Sequence, residues 1–143
     1  MTAVKNKKIS VLIFPVIALI LEILPCGVTM RFASPPGEEP FIENTSYFDL
    51  LPLGYGNFAP LITAVLTAVL LVVLLFYIIK GGPALWKTGK NISLAAAVVS
   101  VCPVLFASYT VIGGFISASL SAEFLYLTFK KPTGRKSEKP ACP

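Results

Sequence analysis

Histidine is absent from this 143-residue chain. That removes the commonest metal ligand and the side chain that most often serves as a general base near neutral pH. Cysteine is scarce: Cys26, Cys102 and Cys142 lie far apart and form no CxxC pair, which excludes a zinc ribbon or a thioredoxin-like redox motif. Charge is scarce too, at 13% of residues against about 25% in soluble domains. Acids are the rarer sign, seven against twelve bases. Nothing in this inventory assembles a catalytic, metal or cofactor site, so the expectation is a non-enzymatic protein with no cofactor.

What fills the chain instead is apolar. Hydrophobic residues make up 55% and the mean hydropathy is +0.80, the range of integral membrane proteins. The clearest stretch is Phe58 to Ile79, which carries no charged residue. As a helix it would extend roughly 33 Å, enough to cross a bilayer core of about 30 Å. A net charge of +5 is compatible with a nucleic-acid partner, but the bases flank apolar runs and are not interleaved with stacking aromatics. No nucleic acid is expected.

The rest of the chain falls into segments around that helix. An apolar run from Ile9 to Met30 follows the basic start Lys5, Lys7 and Lys8. This is also the pattern of a signal peptide. The run continues past Glu22 and lacks an A-x-A-like cleavage site, and Pro25 before Cys26 does not suit lipoprotein processing, so an uncleaved first helix over about 9–30 is expected. Pro15 and Pro25 should bend it.

Residues 31–57 form the one long connection, turn-rich and acidic at first, then aromatic. Tyr47, Phe48, Asp49, Tyr55 and Phe58 are the candidate partner surface, with rings suited to headgroup depth. Asn44-Thr45-Ser46 matches the N-glycosylation pattern there.

Gly81, Gly82 and Pro83 stop the second helix, and 80–91 reads as an inner loop in which Trp86 anchors at the interface. The apolar stretch 92–129 is too long for one crossing. Two short helices are expected, about 92–109 and 113–129, turning near Tyr109–Gly114 where Gly113 and Gly114 relax the backbone. A re-entrant hairpin is the alternative. Residues 130–143 read as a basic, disordered tail.

Orientation follows from the bases. With four crossings, Lys5, Lys7, Lys8, Lys80, Lys87, Lys90, Lys130, Lys131, Arg135, Lys136 and Lys139 fall on one side and only Arg31 on the other, where Glu38, Glu39, Glu43 and Asp49 collect. The positive-inside rule then puts both termini in the cytoplasm and residues 31–57 outside. The fold expected is an all-α integral membrane protein, a compact four-helix transmembrane bundle of one domain in the cell membrane. Its partners would be membrane lipid, attracted by the basic tail, and another membrane protein or a second copy of itself.

Lipid supplies no hydrophobic drive for helix association, so small residues must allow close approach. Gly114, Ala118 and Ala122 share one face of the fourth helix, with Gly113, Ser117 and Ser121 beside them. Ser93, Ala96, Ala97 and Ser100 on the third helix, and Ala59, Thr63, Ala64, Thr67 and Ala68 on the second, offer similar ridges.

Glu22 and Glu123 are the residues that need a reason. An acid at mid-bilayer costs about 3 kcal/mol on insertion scales. They sit at different depths and make no obvious pair. Either they handle a proton or cation, or they are satisfied locally, Glu123 by Ser119 or a neighbouring helix and Glu22 by the outer loop.

The layout resembles that of claudin-type tetraspan proteins in topology, although residues 31–57 contain neither the tryptophan nor the cysteines of that family's first loop. Glu22 in a first helix is similar to the glutamate of small multidrug resistance transporters, from which the long first loop departs. Neither likeness assigns a role to a residue here. Two functions are expected from the residues themselves: an accessory, assembly or interaction subunit, and alternatively a small transporter or oligomeric channel using Glu22 or Glu123.

Overall fold

The structure is a computed structural model and describes residues 9–32, 35, 37, 39–49, 58–103 and 110–130. It is mostly helical. A single 3-10 turn, Ser10–Leu12, leads into α1 (Ile13–Ile23); β1 (Val28–Phe32) and β2 (Phe41–Thr45) form a hairpin; α2 (Ala59–Lys80), α3 (Pro83–Val101) and α4 (Val111–Phe129) follow. α2 and α4 are long and apolar enough to cross a membrane.

The first helix stops earlier than its apolar run suggests. Leu24 precedes Pro25 and adopts φ −65°, ψ 136°, the extended geometry that a following proline ring imposes. Pro25 thus ends α1 and does not merely bend it. Pro15 is tolerated because it falls in the first turn of α1, where a backbone donor has no intrahelical acceptor.

Beyond the stop, Val28 and Thr29 are β-branched and extend into β1, so residues 28–30 are strand and not the helix expected there. The pairing is antiparallel, from Val28 opposite Thr45 to Phe32 opposite Phe41. Residues 31–57 were expected to be loop throughout; 31–32 and 41–45 belong to this hairpin.

The α2–α3 connection takes two residues. Gly81 and Gly82 adopt φ 72° and 113°, angles open to glycine at little cost, and Pro83 occupies the first turn of α3, where its fixed φ suits a helix start. The expected 80–91 loop is therefore helix from residue 83 onward. Polar residues had suggested a loop, but Lys87, Thr88 and Lys90 can face outward while one side of the helix stays buried. Trp86 lies on that buried side at 7% exposure, its ring 5.0 Å from that of Tyr77, and is no interfacial anchor.

α4 begins at Val111, two residues before the expected start. Thr110 caps it, accepting from Gly113 N at 3.0 Å, and donates to Gly27 O at 2.7 Å. Gly113 and Gly114 lie within the helix and make no turn. The third helix was expected over 92–109; it ends at Val101, and residues 104–109 lie outside the described residues, as does the tail from 131.

Two buried clusters mark the ends of the bundle. Val11, Leu70, Leu74, Tyr77, Trp86 and Leu127 pack together at the end where α1 starts and α4 finishes. Ala18, Val28, Tyr47, Ala64, Ala96, Ile116 and Leu120 pack toward the hairpin end. The helix termini bearing Lys80, Lys87, Lys90 and Lys130 therefore share one end, and the hairpin occupies the other.

Candidate functional site

Polar side chains line the inside of this bundle. Glu22, Thr63, Thr67, Ser93, Ser100, Ser117 and Glu123 are buried, while Ile20, Val65, Val72, Val98 and Phe115 are exposed. Helical spacing explains the seam: Thr63 and Thr67 are one turn apart on α2, and Ser93 and Ser100 two turns apart on α3.

Glu22 is fully buried. Its Oε1 accepts from Thr67 Oγ1 at 2.7 Å, and its Oε2 has no hydrogen-bond partner. Thr67 Oγ1 also lies 3.0 Å from Thr63 O. A hydroxyl has one proton, so Thr67 serves one acceptor at a time. The main chain of Glu22 also reaches the segment after β2, its carbonyl accepting from Tyr47 N at 3.0 Å. Contact between Glu22 and residues 31–57 was expected; Thr67 as its side-chain partner was not. The clue available was that Thr63 and Thr67 share one face of an otherwise oily helix.

Glu123 is also fully buried, and neither carboxyl oxygen has a hydrogen-bond partner. The bond expected to Ser119 is absent. Thr67 lies eight residues into α2 from the hairpin end, about 12 Å, whereas Glu123 lies six residues from the opposite end of α4, about 9 Å. The two acids occupy different levels and do not form a pair. Among the described residues no group of three Cys, Asp or Glu gathers to hold a metal.

Two hydroxyls bind the helices across the seam. Ser117 donates to Ser100 O at 3.0 Å and Ser93 to Leu120 O at 3.5 Å, linking α3 to α4. Ser100 itself turns back to Ala97 O at 2.8 Å. The packing face of α4 is thus Gly113, Ile116, Ser117, Leu120, Glu123 and Leu127. It is not Gly114, Ala118 and Ala122: Ala118 is exposed and the other two half-buried. The physical reason is the phase of the helix, set where Gly113 fits beneath Tyr47, which turns the neighbouring small-residue ridge outward.

At the hairpin end the proposed partner surface divides. Tyr47 is 1% exposed and cannot belong to it. Its ring fills the space over Gly27 and Gly113: a Cβ on Gly27 would sit 2.7 Å from Tyr47 Cδ2, and one on Gly113 3.1 Å from its hydroxyl oxygen. Phe48, Asp49 and Phe58 remain exposed, and Tyr55 lies outside the described residues. Asp49 Oδ2 accepts from Ser46 N at 2.7 Å, which closes the turn and fixes Phe48 on its outer side. Phe41 and Ile42, on β2, are exposed beside it. Asn44 is exposed, with Oδ1 accepting from Thr29 Oγ1 at 3.2 Å.

A second polar group, unanticipated from the sequence, sits at the other end. Ser10 and Tyr126 hydroxyls are 2.5 Å apart, and Lys130 Nζ donates to both. Ser10 lies more than a hundred residues from Tyr126 and Lys130 in the chain, and only folding brings it to them. Comparison of the chain with known protein families, with characterised proteins and with solved structures finds no match.

Proposed function

We propose that this chain is a small multi-pass membrane protein, a four-helix bundle in the cell membrane with both termini cytoplasmic, and that it serves as a non-enzymatic accessory or assembly subunit. The observation that carries the membrane reading is the inverted distribution of polarity. The carboxyls of Glu22 and Glu123 and the hydroxyls of Thr63, Thr67, Ser93, Ser100 and Ser117 are inside, and a broad belt of Ile, Val, Leu and Phe is outside. Only 33% of the apolar window is buried in α2 and in α4. The core helix of a water-soluble protein would hide most of such a window, because large contiguous apolar patches are avoided in water.

α3 crosses in this reading with Lys87 and Lys90 in its first two turns, at the depth where long basic side chains reach headgroups. The 3-10 turn plus α1 extends about 22 Å, short of a full core. Local thinning of the bilayer accommodates a deficit of this size at modest cost. The orientation rests on the bases gathered at one end and on Glu39, Glu43 and Asp49 near the other.

The interaction surface in this reading is the hairpin end, where Phe41, Ile42, Phe48 and Phe58 are exposed. Phe48→Ala combined with Phe58→Ala is expected to abolish co-purification of a partner from native membranes while leaving insertion unchanged. Recovery of the protein alone from wild-type membranes removes the support for an accessory role.

The three unpartnered carboxyl oxygens of Glu22 and Glu123 favour a second reading, a small transporter or oligomeric channel. Both residues are fully buried in this conformation, so that reading needs a rearrangement that lets water reach one of them. Liposome flux lost in Glu22→Gln or Glu123→Gln supports it; flux surviving in both eliminates those roles.

A further inference from the structure

We infer that the groove between α1 and α4 at the lysine-bearing end holds one anionic phospholipid, its acyl chain along the groove and its phosphate at Lys130. This rests on the membrane reading above and adds a specific ligand to it.

The groove measures about 740 Å³ and opens along its length to the surroundings of the bundle. Its walls are Phe14 on one side and Leu125 and Phe129 on the other, with Ala122 as the small residue that leaves room at the far end. From Ala122 to Lys130 the rise is about 12 Å, the depth over which an acyl chain would lie. Phe129 and Leu125 are mostly exposed. The Phe14 and Tyr126 rings, 6.3 Å apart and tilted by 59°, close the groove at its base.

Polarity is confined to one end. There Lys130 Nζ donates to the hydroxyls of Ser10 and Tyr126 and lies 4.3 Å from the centroid of the Tyr126 ring. Both hydroxyls are neutral, so they orient the ammonium without cancelling its charge, and the proton of one is taken by the bond between them. An apolar channel ending in one cation and two hydroxyls matches an amphiphile with a single acidic head.

A second copy of the chain fits less well. A two-fold contact presents the same patch from each subunit, so closing the groove with its own copy would bring two Lys130 ammonium groups toward each other.

The test is lipid competition on the full chain purified in neutral detergent. Dioleoyl phosphatidylglycerol and dioleoyl phosphatidylcholine are added in equal amounts, and bound lipid per protomer is counted by native mass spectrometry. One phosphatidylglycerol per protomer, preferred about fivefold, is expected. Lys130→Gln should bring the two lipids near parity, Ala122→Phe should lower retention of both, and Lys87→Gln, an exposed cation outside the groove, should change nothing. Thermal unfolding of each variant reports whether the bundle is intact; Lys130→Gln removes charge at an open end and leaves the packed seam untouched.

Equal retention of both lipids by the wild type overturns the inference. So does a preference that survives Lys130→Gln, or a lipid-free dimer closed through this face. Failure of the membrane reading is separable: a protein released from membranes by alkaline carbonate refutes spanning, whereas one that stays but shows no lipid selectivity refutes the groove alone.

Discussion

Glu123 presents two carboxyl oxygens to the bundle interior with no donor in reach. A buried polar group left unsatisfied costs about 1–3 kcal/mol, and an apolar side chain of similar volume removes that cost. In an accessory protein, where Glu123 carries no chemistry, Glu123→Met is therefore expected to raise the unfolding temperature in detergent micelles and to leave partner recovery unchanged. A lowered temperature would mean that the carboxyl is hydrogen-bonded in the folded protein. Tyr47 gives the opposite case. Its ring is wedged over Gly27 and Gly113, and Tyr47→Ala should cost about 3–5 kcal/mol, whereas Phe48→Ala on the exposed side of the same turn should stay within about 0.5 kcal/mol. Equal losses in the two variants, measured by thermal unfolding, would contradict the division of that segment into a buried plug and an exposed face.

The end of α1, the turn between α2 and α3 and the start of α4 are each set by one or two residues. Thr110 is the sharpest case, since its one side chain caps α4 and ties it to Gly27. Thr110→Val should destabilise the bundle by about 1–2 kcal/mol and Thr110→Ser by much less; a chemical-denaturation series on the two variants distinguishes the cap from simple packing. The elements also show what could be read from sequence. α2 was legible because a charge-free run of this length with no Gly or internal break reads as one helix, and its observed limits, Ala59–Lys80, lie one residue from those expected. α4 was nearly so. The hairpin was not, because Val28, Thr29 and Met30 continue an apolar run and their pairing partners lie more than ten residues away. The start of α3 was hidden for the opposite reason: Lys87, Thr88 and Lys90 look like loop until the buried side, Trp86, Gly89 and Ser93, is recognised at helical spacing. Of the candidate site, the two glutamates stood out as costly residues, but Thr67, Ser10 and Tyr126 gain their meaning only from contacts across the fold.

Taken whole, the molecule separates its charges along one axis and its polarity across it. Among the described residues the lysines collect where α1 begins and α4 ends, Glu39, Glu43 and Asp49 sit toward the hairpin, the buried carboxyls and hydroxyls face inward, and many branched apolar side chains face out. A bilayer is the solvent that would reward this arrangement, and the proposed function rests on it. The most direct test uses a cysteine-free background, made by replacing Cys26, Cys102 and Cys142 with serine, in which Asn44→Cys or Lys87→Cys is introduced and treated with a membrane-impermeant maleimide. Position 44 should react on intact cells and position 87 only after the membrane is opened. Reaction of position 87 on intact cells, with position 44 protected, would contradict the orientation, and equal reaction at both would contradict the crossing itself.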